Sequence, residues 1–150
     1  MGAGIGQLCA QQGYEVTVVD ISNELIDRAK NKITTGLKGR IEKGKITQED
    51  MDSVLSRMNW STDLELAREC DFVVEAIYED IEVKKDVFSK LDSICSPETI
   101  LATNTTALSV SEIASATSRV VSHMTRETPT GNPSRFCGSC AGNMIMISSS

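Results

Sequence analysis

Residues 71–103 read DFVVEAIYEDIEVKKDVFSKLDSICSPETILAT, and this stretch decides the fold. Asp71 to Ile77 is a short, nearly continuous apolar run, the pattern of a strand buried on both faces of a parallel sheet. Val83, Val87, Phe88, Leu91 and Ile94 then recur at helical spacing, and Ser96 with Pro97 stops the helix. Thr99 to Thr103 supplies a second strand. Strand, helix and strand in this order predict a right-handed βαβ unit, and hence a doubly wound α/β sheet, Rossmann-like, with helices on both faces.

Upstream the same alternation continues. Gly2 to Gln12 is a small-residue helix start, and Gly13 can end it in the left-handed conformation. Tyr14 to Val19 (YEVTVV) is a β-branched strand that ends at Asp20. Ser22 is a good N-cap, followed by Leu25, Ile26, Ala29, Ile33 and Leu37 on one helical face. Thr47 and Asp50 have capping-box spacing ahead of Met51, Val54, Leu55 and Met58. Helices over 24–43 and 48–57 therefore form a hairpin inserted after the second strand of the fold. Asn59 to Asp63 reads as a short strand and Leu64 to Arg68 as one helical turn. Downstream, Ser109 to Ala116 reads as a short helix and Arg119 to Ser122 as a last strand. From residue 123 the periodicity disappears until the apolar MIMI at 144–147, so 123–150 is expected to be an irregular tail.

Composition narrows the function. The 150 residues, 40% hydrophobic and 24% charged, suit one globular domain. Fifteen basic against twenty-one acidic residues give a net charge of −6, a field that repels DNA and RNA. No apolar run approaches the roughly 18 to 20 residues that cross a bilayer, so no membrane partner is expected. Five cysteines at scattered spacing read as reduced thiols in the cytoplasm, with the mitochondrial matrix as the alternative. Cys137 and Cys140 have the spacing of half a zinc site, but neither a second such pair nor paired histidines complete a shell, and no metal is expected.

The glycines at 2, 4 and 6 open a helix, and the next strand ends in an acid eighteen residues after Gly2. This resembles the second half of a dinucleotide fingerprint. Glycine admits a pyrophosphate, the helix N-terminus offers unpaired N–H groups, and the acid binds a ribose diol. No arginine follows Asp20 to meet a 2′-phosphate, which favours NAD over NADP. GAGIG alone equally fits a methyltransferase loop, or a helix packed closely on a sheet.

The segment VVEAIYEDIEVKKDVFSKLDSICSPETILATNTTALSVSEIASATSR is more specific. It resembles the NAD-dependent 3-hydroxyacyl-CoA dehydrogenase family, which includes 3-hydroxybutyryl-CoA dehydrogenases, whose usual form runs VEA..E....K..F..LD....P..ILA.NTSSL....IA..T.R. The opening MGAGIGQLCAQQGYEVTVVDIS resembles the same family's GAGTMGxGIAQ block entered at its methionine, and the resemblance covers residues 1 to 121. It implies that Gly2 is the third glycine of the fingerprint and Asp20 the ribose-binding acid. Glu79 and Lys84 then line the nicotinamide side of the cofactor, Asn104 lies beside the reacting carbon, and Thr106 keeps the hydroxyl that bonds the substrate oxygen. Apart from the resemblance, Glu79 and Lys84 read as solvated helix charges, and Asn104 and Thr106 as turn-formers. Lys38, Arg40, Lys43 and Lys45 are either a solvated face or a partner for coenzyme A phosphates.

Catalysis in the family uses a histidine in GMHFFNP and a glutamate about a dozen residues later, whereas this chain reads VVSHMTRETPTGNPSRFCG. His123, its only histidine, falls one residue early, and Glu127 stands only four residues on. Two readings follow. One is NAD-dependent oxidation of a 3-hydroxyacyl-CoA to its 3-oxo product in fatty acid metabolism, with His123 as base and Thr106 and Asn104 holding the oxygen. The other is an NAD-binding domain without catalytic competence.

The resemblance also implies that residues 1–122 are a partial NAD-binding domain, with the family's first strand and its C-terminal helical dimerisation domain absent. In the strand order 3-2-1-4-5-6 that first strand lies between Tyr14–Val19 and Asp71–Ile77. Its absence is expected to leave two facing edges of orphan N–H and C=O groups. At roughly 1–3 kcal/mol for each buried group, these would exceed a typical stability of about 5–15 kcal/mol.

Overall fold

The computed structural model describes residues 2–105, 109–118, 121–123 and 143–148. Helix α1 (Gly2–Gln11) is followed by β1 (Glu15–Val19), with Gly13 between them at φ 96°, a conformation that glycine adopts without strain. Helix α2 (Asn23–Glu42) starts at Ser22, whose side chain accepts from the Leu25 amide. Helix α3 (Gln48–Ser56) carries the expected reciprocal box: the Asp50 amide donates to Thr47 Oγ1 at 3.1 Å, and the Thr47 amide donates to Asp50 Oδ2 at 2.8 Å. Strand β2 (Met58–Ser61), a 3-10 helix (Leu64–Glu69), β3 (Phe72–Ala76), α4 (Ile81–Ile94), β4 (Ile100–Thr103), α5 (Val110–Ala114) and β5 (Val121–His123) complete the alternation. Each of these stands within two or three residues of its sequence-based expectation.

The departure is β6 (Asn143–Ser148), inside the segment expected to be irregular. All strand pairs are parallel, in the order β2-β1-β6-β3-β4-β5. Strand β6 thus occupies the central position that the order 3-2-1-4-5-6 gives to a first strand. Its register runs from Glu15↔Asn143 to Val19↔Ile147 on one side, and from Phe72↔Met144 to Ala76↔Ser148 on the other. The expected pair of open edges is therefore not present. The physical reason lies in MIMI: four consecutive apolar side chains suit a strand covered on both faces, where the surrounding Ser, Gly and Asn suggested a loop.

The pleat sends those four side chains alternately to two cores. Met146, with Met144 partly buried beside it, joins Val16, Val18, Val74, Ala29, Ile33, Leu37, Met51 and Val54 under α1, α2 and α3. Ile145 and Ile147 join Val73, Phe88, Leu91, Leu101 and Ile113 under α4 and α5. Both faces are covered, as a doubly wound sheet requires. Among the described residues no helix is long and apolar enough to cross a membrane.

Candidate functional site

Because every strand is parallel, the C-terminal ends share one rim, where open α/β sheets bind ligands at the point of strand-order reversal. Asp20 directly follows β1 and Asn104 directly follows β4. With β6 and β3 between those strands, the two positions lie three strand spacings apart, about 14 Å at ~4.8 Å each. Asp20 is buried, only 3% exposed, and its Oδ1 accepts from the Ile21 amide at 2.8 Å.

The N-terminus of α1 comes to the same rim. Cβ atoms placed on Gly2 would meet Ser148 Cβ at 3.0 Å and Ala76 Cβ at 3.3 Å, at the ends of β6 and β3. One on Gly6 would meet Val16 Cγ1 at 3.2 Å, whereas Gly4 has nothing within 4 Å. The three glycines are therefore not equivalent: Gly2 and Gly6 let the helix approach the sheet, and Gly4 is open. The first turn carries no acidic side chain, so no carboxylate of its own offsets the positive potential of the helix start. A buried acid at the end of β1 beside an uncompensated helix start fits the ribose and pyrophosphate of a dinucleotide.

The other end of the rim is polar and closed. Lys84 lies on the buried stripe of α4 with Phe88 and Leu91 and is 0% exposed. Its Nζ donates to Glu75 Oε1 at 2.7 Å and to the Ile77 carbonyl at 3.2 Å. Glu75 Oε1 also accepts from the Ile77 amide at 2.6 Å, and Oε2 accepts from Thr103 Oγ1 at 2.7 Å. One carboxylate thus joins the ends of β3 and β4 to α4. Lys84 is not the solvated helix charge that its residue type suggested: its ammonium is enclosed beneath the rim. Glu79 is exposed, and its Oε2 accepts from the hydroxyl of buried Thr105 at 2.6 Å. Asn104 donates its amide to the Glu75 carbonyl at 2.8 Å, which sets the start of its loop.

Glu75, Thr103 and Thr105 carry this network without having stood out in the sequence. An acid inside VVEAI was the available signal, as was the i, i+4, i+7 relation of Lys84, Phe88 and Leu91. Among the described residues no buried side-chain nitrogen or oxygen lacks a partner. The backbone of His123 ends β5, paired with Thr103. Thr106, Glu127, Cys137 and Cys140 lie outside the described residues. The Cys70 thiol is pushed up to about 11, by burial first and then by Cys95, Asp71 and Glu69, and burial also raises Cys9. Neither is an activated nucleophile. Among the described residues no three potential ligands cluster for a metal.

Residues 1–125 match the family described as 3-hydroxyacyl-CoA dehydrogenase, NAD binding domain. A probable 3-hydroxybutyryl-CoA dehydrogenase of Deinococcus radiodurans is 43% identical over 119 residues, 79% of this chain and 42% of that protein. The mitochondrial hydroxyacyl-coenzyme A dehydrogenase of Rattus norvegicus is 37% identical over 126 residues, 79% of this chain and 40% of that protein. The crystal structure of (S)-3-hydroxybutyryl-CoA dehydrogenase from Ralstonia eutropha superposes with a TM-score of 0.80 at 33% identity, covering 83% of this chain and 44% of that one. The chain spans about two fifths of the length of these curated relatives. With its parallel sheet, its acid after β1 and its asparagine after β4, the chain belongs to the 3-hydroxyacyl-CoA dehydrogenase family and corresponds to its NAD-binding domain.

Proposed function

We propose that this chain supplies the NAD-binding part of an enzyme that oxidises a 3-hydroxyacyl-CoA to the 3-oxoacyl-CoA in fatty acid β-oxidation, in the cytoplasm or the mitochondrial matrix. One observation carries this reading: Asp20 and Asn104 cap two strands of the same rim, on either side of the close approach of α1 to the sheet. Held at this rim, NAD would supply the hydride acceptor for oxidation at C3 of the substrate. Asp20 accepts hydrogen bonds from the adenosine ribose, and the first turn of α1 faces the phosphates. Asn104 and Thr106 hold the substrate oxygen, and His123 takes the hydroxyl proton. Glu79 and Lys84 act on the nicotinamide side through the loops they fix, Glu79 by Thr105 and Lys84 by Glu75.

A second reading rests on the sequence from the end of β5 onward, where SHMTRET stands in place of the family's histidine motif. In it the chain binds NAD and does not turn over substrate. Titration of the full chain with NADH, followed by NADH formation from NAD and 3-hydroxybutyryl-CoA, tests both. Asp20→Ala is expected to weaken NADH binding by about tenfold or more, the loss of charge-assisted hydrogen bonds. His123→Ala is expected to cut turnover by about 10²–10⁴-fold while NADH still binds. Binding without turnover in the unaltered chain selects the second reading, and absence of NADH binding sinks both.

A further inference from the structure

We propose that β6, contributed by the same molecule, is the phosphate-side strand of the nucleotide site, so that NAD affinity is coupled to its docking between β1 and β3. The proposal rests on the NAD reading given above.

Four observations carry it. Strand β6 is paired to β1 from Asn143 to Ile147 and to β3 from Met144 to Ser148. Its start is fixed by Asp71, whose amide donates to the Asn143 carbonyl at 2.9 Å while the Asn143 amide donates to Asp71 Oδ2 at 3.1 Å. Its apolar side chains enter both cores. Its end, Ser148, stands one position past the Val19↔Ile147 pair, level with Asp20, and beside Gly2. Ser148 therefore lies between the acid that reads the ribose and the helix start that faces the pyrophosphate. If β6 left the sheet, the N-terminus of α1 would lose the surface on which it is set, and the two nucleotide-binding features would lose their common frame.

Supply from the same molecule is within reach. Residues 124–142 connect β5 to β6, and a chain of that length extends up to roughly 60 Å at ~3.3 Å per residue. The path is three strand spacings across, about 14 Å, and one short strand back, about 20 Å.

The Gly2–Ser148 contact gives the proposal its test. A methyl group on Gly2 would sit 3.0 Å from Ser148 Cβ and 3.1 Å from Ser148 Oγ, and Ser148→Gly removes both atoms. In the full chain, Gly2→Ala is expected to lower the thermal midpoint by about 5 °C. It is also expected to weaken NADH binding by about tenfold. Ser148→Gly alone is expected to shift the midpoint by less than about 2 °C, and the double variant should recover at least half of both losses, as directly touching residues do. Additive losses in the double variant would overturn the proposal, as would unchanged NADH affinity in Gly2→Ala. If the unaltered chain fails to bind NADH while the midpoints still show the Gly2–Ser148 coupling, the NAD reading has failed and the strand's docking has not. Co-refolding Gly2→Ala with Ser148→Gly distinguishes the source of the strand: no mutual rescue is expected, and rescue would show β6 exchanged between copies and overturn the assignment to one molecule.

Discussion

The two ends of the rim are held by opposite means. At the α1 end, small residues allow backbone and side chains to close on one another, with Gly2 against Ser148 and Ala76 and Gly6 against Val16 and Val18. At the α4 end a buried ion pair is surrounded by hydrogen bonds, with Glu75 accepting from Lys84, the Ile77 amide and Thr103. Apolar close packing tolerates small losses in proportion to the volume removed. A desolvated charge pair has an all-or-none character, because removing one member strands the other in a medium that cannot solvate it. The α1 end is thus set by shape and the α4 end by charge.

The sharpest way to break this contrast is Glu75→Ala, which leaves the Lys84 ammonium, 0% exposed, without its anion. A loss of about 3–5 kcal/mol in urea unfolding is expected, while the double change Glu75→Met with Lys84→Met should cost far less. Equal losses in the two proteins would mean that charge is not what holds this end. Next comes Met146→Ala in β6, fully buried in the core under α1, α2 and α3, expected to cost about 2–4 kcal/mol by the same measurement. A cost near zero would mean that β6 is not in the sheet. The smallest effect belongs to Cys70, whose folded pKa of about 11 lies above its ordinary 9.0. The unfolded chain gives up this proton first, so stability is intact below about pH 9 and falls as pH rises toward 11. Cys70→Ala should flatten that alkaline decline, and an unchanged decline would place its origin elsewhere.

Much of the fold was legible because its signals are local. The Thr47–Asp50 box, the glycine at 13 and the β-branched run at 14–19 each act within a few residues, and the structure carries all three. Strand β6 was not legible, since four apolar residues among Ser, Gly and Asn define no period, and its partners lie more than sixty residues away in sequence. At the candidate site, Asp20 and Asn104 could be placed because strand ends are local features. The burial of Lys84 could not, because a count of apolar positions selects Val83 and Val87 and passes over a charged residue on the true buried stripe. Glu75 was hidden similarly, inside a run read for its hydrophobicity.

The middle place of β6 also has a consequence for synthesis on the ribosome. The pair β1·β2 and the trio β3·β4·β5 are made first, with the edges of β1 and β3 that face each other unpaired, and no strand pairing joins them until residues 143–148 have emerged. Closure of the sheet is then a late event that depends on contacts of large sequence separation, a slow class of folding step. During that interval two exposed strand edges are open to other nascent chains, so the yield of native protein is set by how quickly six residues find their gap.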